Sequence, residues 1–154
     1  MKKKSLYLVT VALIVLVSSC SIVFRGGVGG TIVDDQTDDG IQELRVYAYL
    51  DEDARNSDYL DYINNPTGIE QSEMVKGSAT TDANGDFTIS TIIWDSSNPL
   101  YGKTADEKNL YFLLYHELYG LVKNESVVKI YSDATNSGAV NEIFSSVKER
   151  SNLS

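Results

Sequence analysis

The chain has 154 residues, 22 of them acidic and 13 basic, for a formal charge of −9. This negative surplus excludes nucleic acid as a partner, because a phosphate backbone is held through lysine and arginine. A single cysteine excludes an intramolecular disulfide and a single histidine excludes a histidine-based metal centre, so packing must hold the folded part together.

Met1-Lys2-Lys3-Lys4 opens the chain, an apolar run extends from Leu6 to Val17, and Val17-Ser18-Ser19-Cys20 follows. A positive start, an apolar run of this length and small residues ahead of a cleavage point mark an export signal over residues 1–19. A membrane-spanning helix needs about 20 apolar residues, and this run stops short. Val17-Ser18-Ser19-Cys20 resembles the lipobox of bacterial lipoproteins. That resemblance implies that Cys20 becomes the first mature residue and carries a diacylglyceryl thioether and an acylated amine, palmitate among the acyl groups. Several acyl chains anchor a protein stably where one is marginal. The membrane is then a partner through the lipid on Cys20, and the location is the cell envelope. Ser21 in place of Asp favours the outer membrane, facing the periplasm or the surface.

Loss of the leader leaves 135 residues, enough for one domain with a real core. The leader holds three basic residues and no acidic ones, so the mature chain has 10 basic against 22 acidic, a formal −12. Solubility accounts for such a charge; cation binding or a basic partner is the sharper alternative.

Four glycines in Ser21 to Gly30 read as flexible chain, and we expect a lipidated tether over residues 20–28 and a single domain over residues 29–150. A phosphate-binding glycine loop would need a strand before it and a helix with Lys-Ser/Thr after it, and neither pattern is present. Gly30 to Asp34 reads as a strand, followed by the acidic loop Asp34 to Gly40. Glu43 to Leu50 alternates cleanly, with Leu44, Val46, Ala48 and Leu50 on one face and Arg45, Tyr47 and Tyr49 on the other, where hydroxyls stay wet.

Asp51 to Gln71 is polar and broken by Asn64-Asn65-Pro66-Thr67-Gly68, so the chain leaves the sheet as a long insertion. A short helix is predicted near 57–63, capped by Ser57 and packing Tyr59, Leu60 and Ile63 inward. Loops of this length are uncommon unless functional or disordered, which makes the insertion a binding element. Glu73 to Thr80 returns as a strand, and Asn84-Gly85 fits a type I′ turn leading into Phe87 to Trp94, with Phe87, Ile89 and Thr91 on one face of a hairpin. After a polar loop from Asp95 to Glu107, the run from Lys108 to His116 is apolar on both faces and rich in aromatics, as a strand covered on both sides would be. Tyr119-Gly120 and Lys123-Asn124 mark a turn before a strand from Ser126 to Tyr131. Near 140–149, Val140, Ile143, Phe144 and Val147 suit a helix face, yet the preceding strands need an edge partner, and we favour a strand there.

Gly30-Thr31-Ile32-Val33-Asp34, Val46-Tyr47-Ala48-Tyr49 and Thr80-Thr81-Asp82-Ala83-Asn84-Gly85-Asp86-Phe87 occur in that order. Together they resemble the carboxypeptidase regulatory-like, transthyretin-like β-sandwich domains over residues 29 to 93. The resemblance implies an all-β, seven- or eight-stranded Greek-key sandwich with no catalytic residues, acting as a stalk, adhesive unit or accessory domain. The insertion and the chain beyond Tyr101 depart from that pattern.

No stretch specifies a reaction or a cofactor. Asp82, Asn84 and Asp86 mimic the start of a calcium loop, but glycine falls at position 4 rather than 6 and Ile93 stands where a bidentate Glu is required. Asp34, Asp35, Asp51 and Asp53 converge on calcium only if their strands lie in different sheets or run parallel; solvated loops explain them otherwise. His116-Glu117 begins a zinc-protease pattern that lacks its second histidine, and no serine sits in a glycine-flanked elbow. Paired carboxylates leave a hydrolase open as the rival reading. The expected activity is binding or structural presentation, with a protein or glycan of the envelope as partner. Tyr59, Tyr62, Trp94 and Tyr101 are the expected contacts, because exposed aromatics anchor interfaces.

Overall fold

A computed structural model of the chain describes residues 23–95, 105–133 and 140–147. The export signal, Cys20 and Tyr101 lie outside the described residues. The strands are β1 (Val23–Asp34), β2 (Arg45–Tyr49), β3 (Gly77–Thr80), β4 (Asp86–Asp95), β5 (Ala105–His116), β6 (Gly120–Asp133) and β7 (Val140–Val147). They form two sheets, ordered β4-β1-β7 and β3-β2-β5-β6. Between β2 and β3 the chain makes helix α1 (Glu52–Tyr62) and a 3₁₀ helix (Pro66–Gln71).

The architecture is all-β and sandwich-like. One face of each sheet supplies the main core: Val28 and Ile32 from β1 and Phe87, Ile89, Ile92 and Trp94 from β4 meet Val46, Ala48, Leu110, Phe112, Leu114 and Ile130 from the other sheet. Each large side chain buried in this way contributes about 1.5–3 kcal/mol by leaving water. The alternation predicted for β4 breaks midway. Ile89 pairs with Val28 and Ile92 with Gly26, so β4 carries one extra residue, and Ser90 and Thr91 both face solvent. A bulge reverses which face later side chains occupy. It turns Ile92 and Trp94 inward and takes Thr91 off the buried face expected for it.

The glycine-rich segment expected as a tether is strand from Val23 onward. β1 is the central strand of its sheet, antiparallel to β4 from Val23 and parallel to β7 from Gly27, so its pairing is two-sided from Gly27 onward. Val140–Val147 is a strand at the edge of this sheet, as the need for a partner suggested.

Asn84-Gly85 does not close a hairpin between paired strands. The turn is local and well bonded: Gly85 N donates to Asp82 O, Asp82 N donates to Asp86 O, and the Asp82 carboxylate accepts from the amides of Asn84 and Asp86. Only Gly85 takes positive φ, at 80°, so this is a common turn followed by a left-handed glycine rather than the type I′ form. Beyond it the arms separate, β3 to β2 and β4 to β1, and the turn links the two sheets. A Cβ on Gly85 would lie 2.2 Å from Ile32 O, and one on Gly40 would lie 2.0 Å from Asn84 O, so both positions require glycine. Thr81 completes this corner. Its buried hydroxyl donates to Ile41 O and accepts from Leu44 N, while Thr81 O accepts from Glu43 N. These bonds hold Glu43 at φ 61°, a conformation unfavourable for a side chain without such support.

The insertion packs flat on the outer face of the four-stranded sheet and makes a second core of Tyr47, Tyr49, Ile69, Leu113 and Leu121, flanked by Ala54, Tyr59, Tyr62 and Tyr111. This is the cover that the two-sided apolar run of β5 demanded. Helix α1 begins earlier than expected, with Asp51 rather than Ser57 as its cap, accepting from Ala54 N at 2.9 Å. Leu60, expected to pack inward, is 72% exposed. The helix instead buries Arg55 and Asp58.

Both polar residues have specific partners. Arg55 Nη1 donates to Asn124 O at 2.9 Å, Nη2 pairs with Glu52 at 3.0 Å, and the guanidinium lies 5.6 Å from the centre of the Tyr111 ring. Asn124 adjoins the irregularity in the β5–β6 ladder, where Leu110 pairs with Val128 but Phe112 pairs with Asn124. The expected turn at Lys123-Asn124 is therefore a break within one strand, and the reversal itself lies between His116 and Gly120. Asp58 Oδ2 accepts from Tyr49 Oη at 3.0 Å and from Ser72 Oγ at 2.6 Å. The tyrosines expected to keep wet hydroxyls are thus enclosed, Tyr47 and Tyr49 being 2% and 0% exposed.

Candidate functional site

Strand register brings Thr80, Arg45 and Tyr115 into one cross-strand row, since Arg45 faces Thr80 of β3 on one side and Tyr115 of β5 on the other. The row lies on the outer face of the four-stranded sheet, the face that carries Tyr47 and Tyr49 one and two rows further on. Tyr47, Tyr49 and Leu113 of those next rows lie under the insertion. In the end row Thr80 is exposed and Arg45 and Tyr115 are half-buried at the margin of the cover, and above it is a depression of about 520 Å³ lined by Glu43, Arg45, Thr80, Tyr115, His116, Glu117 and Leu118. Its volume falls within the range of roughly 300–1,000 Å³ usual for small-molecule sites. A second depression of about 360 Å³ adjoins it, lined by Asp34, Thr37, Asp39, Gly40, Ile41, Gln42 and Tyr119, with His116 and Leu118 common to both.

Each wall has a local cause. Glu43 is set by the Thr81 clamp described above. Arg45 pairs with Glu70, at the margin of the insertion, so the cover ends in an ion pair beside the opening. The Tyr47 hydroxyl next to Arg45 and the Glu70 carboxylate hold the guanidinium further toward its charged form, whereas burial pushes the Tyr47 phenol upward. Tyr47 Oη itself is buried and finds no partner of full hydrogen-bond geometry.

His116 closes β5. Its Nδ1 accepts from Leu118 N at 3.1 Å, so the neutral ring carries its proton on Nε2, and its plane is tilted 59° against the Tyr119 ring at 5.3 Å. The reversal holds Leu118 69% exposed between the two depressions. Tyr119 Oη donates to Asp34 Oδ2 at 2.8 Å, and Asp34 Oδ1 accepts from Gln36 N and Thr37 N. The Gln36 amide and the Tyr119 hydroxyl together hold the Asp34 carboxyl below its ordinary range.

The residues expected as contacts are placed differently. Trp94 is 4% exposed and belongs to the main core, because the β4 bulge turns it inward. Tyr59 and Tyr62 are half-buried against the second core, Tyr59 with Lys123 Nζ 5.0 Å from its ring centre. Asp34 serves its own turn and Asp51 caps α1. Among the described residues no three His, Cys, Asp or Glu side chains converge as metal ligands.

Sequence reasoning missed Arg45, Thr80, Tyr115, Glu43 and Glu117. One signal was available: Arg45 is the single charged residue on the outer face of β2, a face otherwise aromatic and destined for cover. The site joins cationic and anionic hydrogen-bonding groups with an aromatic ring and an exposed leucine, an arrangement suited to binding. No hydrogen bond joins His116 to a serine or threonine hydroxyl among the described residues. The chain matches no protein-family model and no curated protein.

Proposed function

We propose that this protein is a lipid-anchored module of a bacterial cell envelope that works by binding, at the bare end of its four-stranded sheet, and has no catalytic activity of its own. The observation that carries this reading is the Thr80-Arg45-Tyr115 row at the margin of the insertion, exposed at Thr80 and half-buried at Arg45 and Tyr115, beneath an open depression that adjoins a second one. The export-signal pattern and the lipobox-like Val17-Ser18-Ser19-Cys20 support the anchoring and an envelope location, with the outer membrane favoured. Two facing sheets whose strands interleave in sequence support a transthyretin-like Greek-key arrangement.

Two measurements test this. In a bacterial host the full chain takes up radiolabelled palmitate and sediments with membranes, and Cys20→Ser loses both properties. Unaltered sedimentation of Cys20→Ser contradicts the anchoring. The purified full chain retains labelled envelope fragments, and a variant combining Arg45→Ala with Glu117→Ala retains several-fold less. Equal retention contradicts the choice of face.

The rival is a hydrolase, which one observation favours: Glu43 and Glu117 line the same depression. Release of soluble sugars from those fragments, lost in Glu117→Gln, would replace the binding reading with the enzymatic one.

A further inference from the structure

We infer that the sandwich stands with one pole against the bilayer and holds its two depressions at the opposite pole, an orientation that rests on the lipid anchor proposed above. The connection to that anchor is short. β1 begins at Val23, so only Ser21 and Ile22 separate it from Cys20, and whatever conformation they take, these steps reach at most about 11 Å. The glycines that would have made a longer tether lie inside the strand, where Gly26, Gly27, Gly29 and Gly30 all have ladder partners. The start of β1 is therefore held within about one strand-to-strand layer or two of the headgroups.

Strand register shows what shares each pole. Val23 pairs with Asp95 of β4, and a Cβ on Gly26 would lie 3.2 Å from the Trp94 ring and 3.6 Å from Ile130 Cδ1, which brings the end of β6 to the same level. Ala105 pairs with Asp133 just beyond, so the start of β5 belongs to the anchored pole too. At the other end Thr31 pairs with Asp86, and Asp34 accepts from Tyr119 Oη at 2.8 Å beside the reversal between β5 and β6. Both depressions lie there, one lined by Asp34 and both by His116 and Leu118. The 12 residues of β1 separate the poles by about 35 Å. Charge favours the same orientation. Asp34, Asp35, Asp38, Asp39, Glu43 and Glu117 gather at the far pole against Arg45, whose charge Glu70 offsets, whereas the anchored pole mixes carboxylates with Arg25, Lys108 and Lys129. Anionic headgroups repel the far pole more strongly, so it stays off the surface while the short connection holds the near one down. The ligand is then drawn from the layer beyond the headgroups and not from bilayer lipid.

The test uses the lipidated full chain, produced in a bacterial host and placed in vesicles of phosphatidylethanolamine and phosphatidylglycerol that include a lipid with a nitroxide quencher on its headgroup. The lipid occupies the Cys20 thiol, so a thiol-reactive fluorophore goes to one introduced cysteine. Ile93→Cys and Lys129→Cys place it near the anchored pole and Leu118→Cys at the far pole, all at exposed positions. The labels at 93 and 129 are quenched several-fold more than the label at 118. A flexible Gly-Ser segment of about ten residues inserted between Ile22 and Val23, with a reach of roughly 17 Å, lowers the quenching at 93 and 129. Equal quenching at the two poles, or stronger quenching at 118, in a chain that floats with the vesicles overturns the orientation and leaves the anchor standing. Quenching at 93 and 129 that ignores the inserted segment also overturns it, since the short connection is then not what holds that pole. A chain that does not float with the vesicles removes the anchor and the orientation together.

Discussion

Arg55 on helix α1 donates to the main-chain carbonyl of Asn124, 69 residues away, at the point where the β5–β6 ladder loses its regular pairing. The helix closes over this carbonyl beside the irregular ladder, and the guanidinium donates to it while staying charged. The contact ties the insertion to the far strand of the sheet it covers.

Arg55→Ala therefore lowers stability by about 2–3 kcal/mol, because it removes a buried charge-assisted hydrogen bond to the Asn124 carbonyl together with buried side-chain packing. Arg55→Lys recovers only part of this, since an ammonium lacks the fork that reaches Asn124 O, Glu52 and Asn56 together. Urea unfolding monitored by tyrosine and tryptophan fluorescence measures both. A loss under about 0.5 kcal/mol for Arg55→Ala would show that the cover does not depend on this contact.

Asp58 fastens the same helix through Tyr49 and Ser72. Asp58→Ala leaves the enclosed Tyr49 hydroxyl and the half-buried Ser72 hydroxyl without this acceptor and costs about 2 kcal/mol, with faster proteolysis between residues 51 and 72. Asp58→Asn keeps an acceptor and costs less.

Tyr49 gives a signed pH dependence. Burial, followed by the neighbouring Asp58 charge, raises its phenol well above the ordinary value of about 10. The folded state thus holds this proton more tightly than the unfolded state. The contribution is complete below about pH 10 and is lost as pH climbs from the unfolded toward the folded value. Tyr49→Phe flattens the alkaline limb of the stability profile; an alkaline limb as steep as that of the parent protein would refute the assignment.

Asp34 acts with the opposite sign. Its lowered value means that the folded state favours the carboxylate, so its contribution is present above the ordinary carboxylate range and fades as pH falls through the lowered folded value. Asp34→Asn flattens the acid limb, and Tyr119→Phe does so in part, in thermal melts collected from neutral to acidic pH.

Thr81→Val is expected to lose about 1–3 kcal/mol, since Ile41 O and Leu44 N both rely on the hydroxyl it removes. It also releases Glu43 from its left-handed conformation, so ligand binding at the bare end weakens with stability. Amide exchange at residues 41–44 reports the first effect directly.

The strands were legible where one physical demand dominated. β2 alternates because one of its faces meets the main core, and β5 is apolar on both faces because both are covered. The nature of the cover was not legible: α1 docks through Arg55 and Asp58, residue types that ordinarily face water, and the Arg55 partner is remote in sequence. Trp94 misled for a different reason. Ser90 and Thr91 form a bulge without glycine or proline to mark it, so the reversal of faces is invisible in the pattern. The bare row is a product of register across three strands, and Thr80, Arg45 and Tyr115 have no local feature that joins them.

The central claim is that the uncovered end row, and not the insertion, makes contact with the ligand. Amide chemical-shift mapping of the full chain during titration with solubilised envelope fragments that it retains tests this most directly. Shifts concentrated at residues 43–45, 80 and 115–118, with α1 unmoved, are the predicted result. Shifts centred on the exposed side of α1 around Leu60 would contradict it.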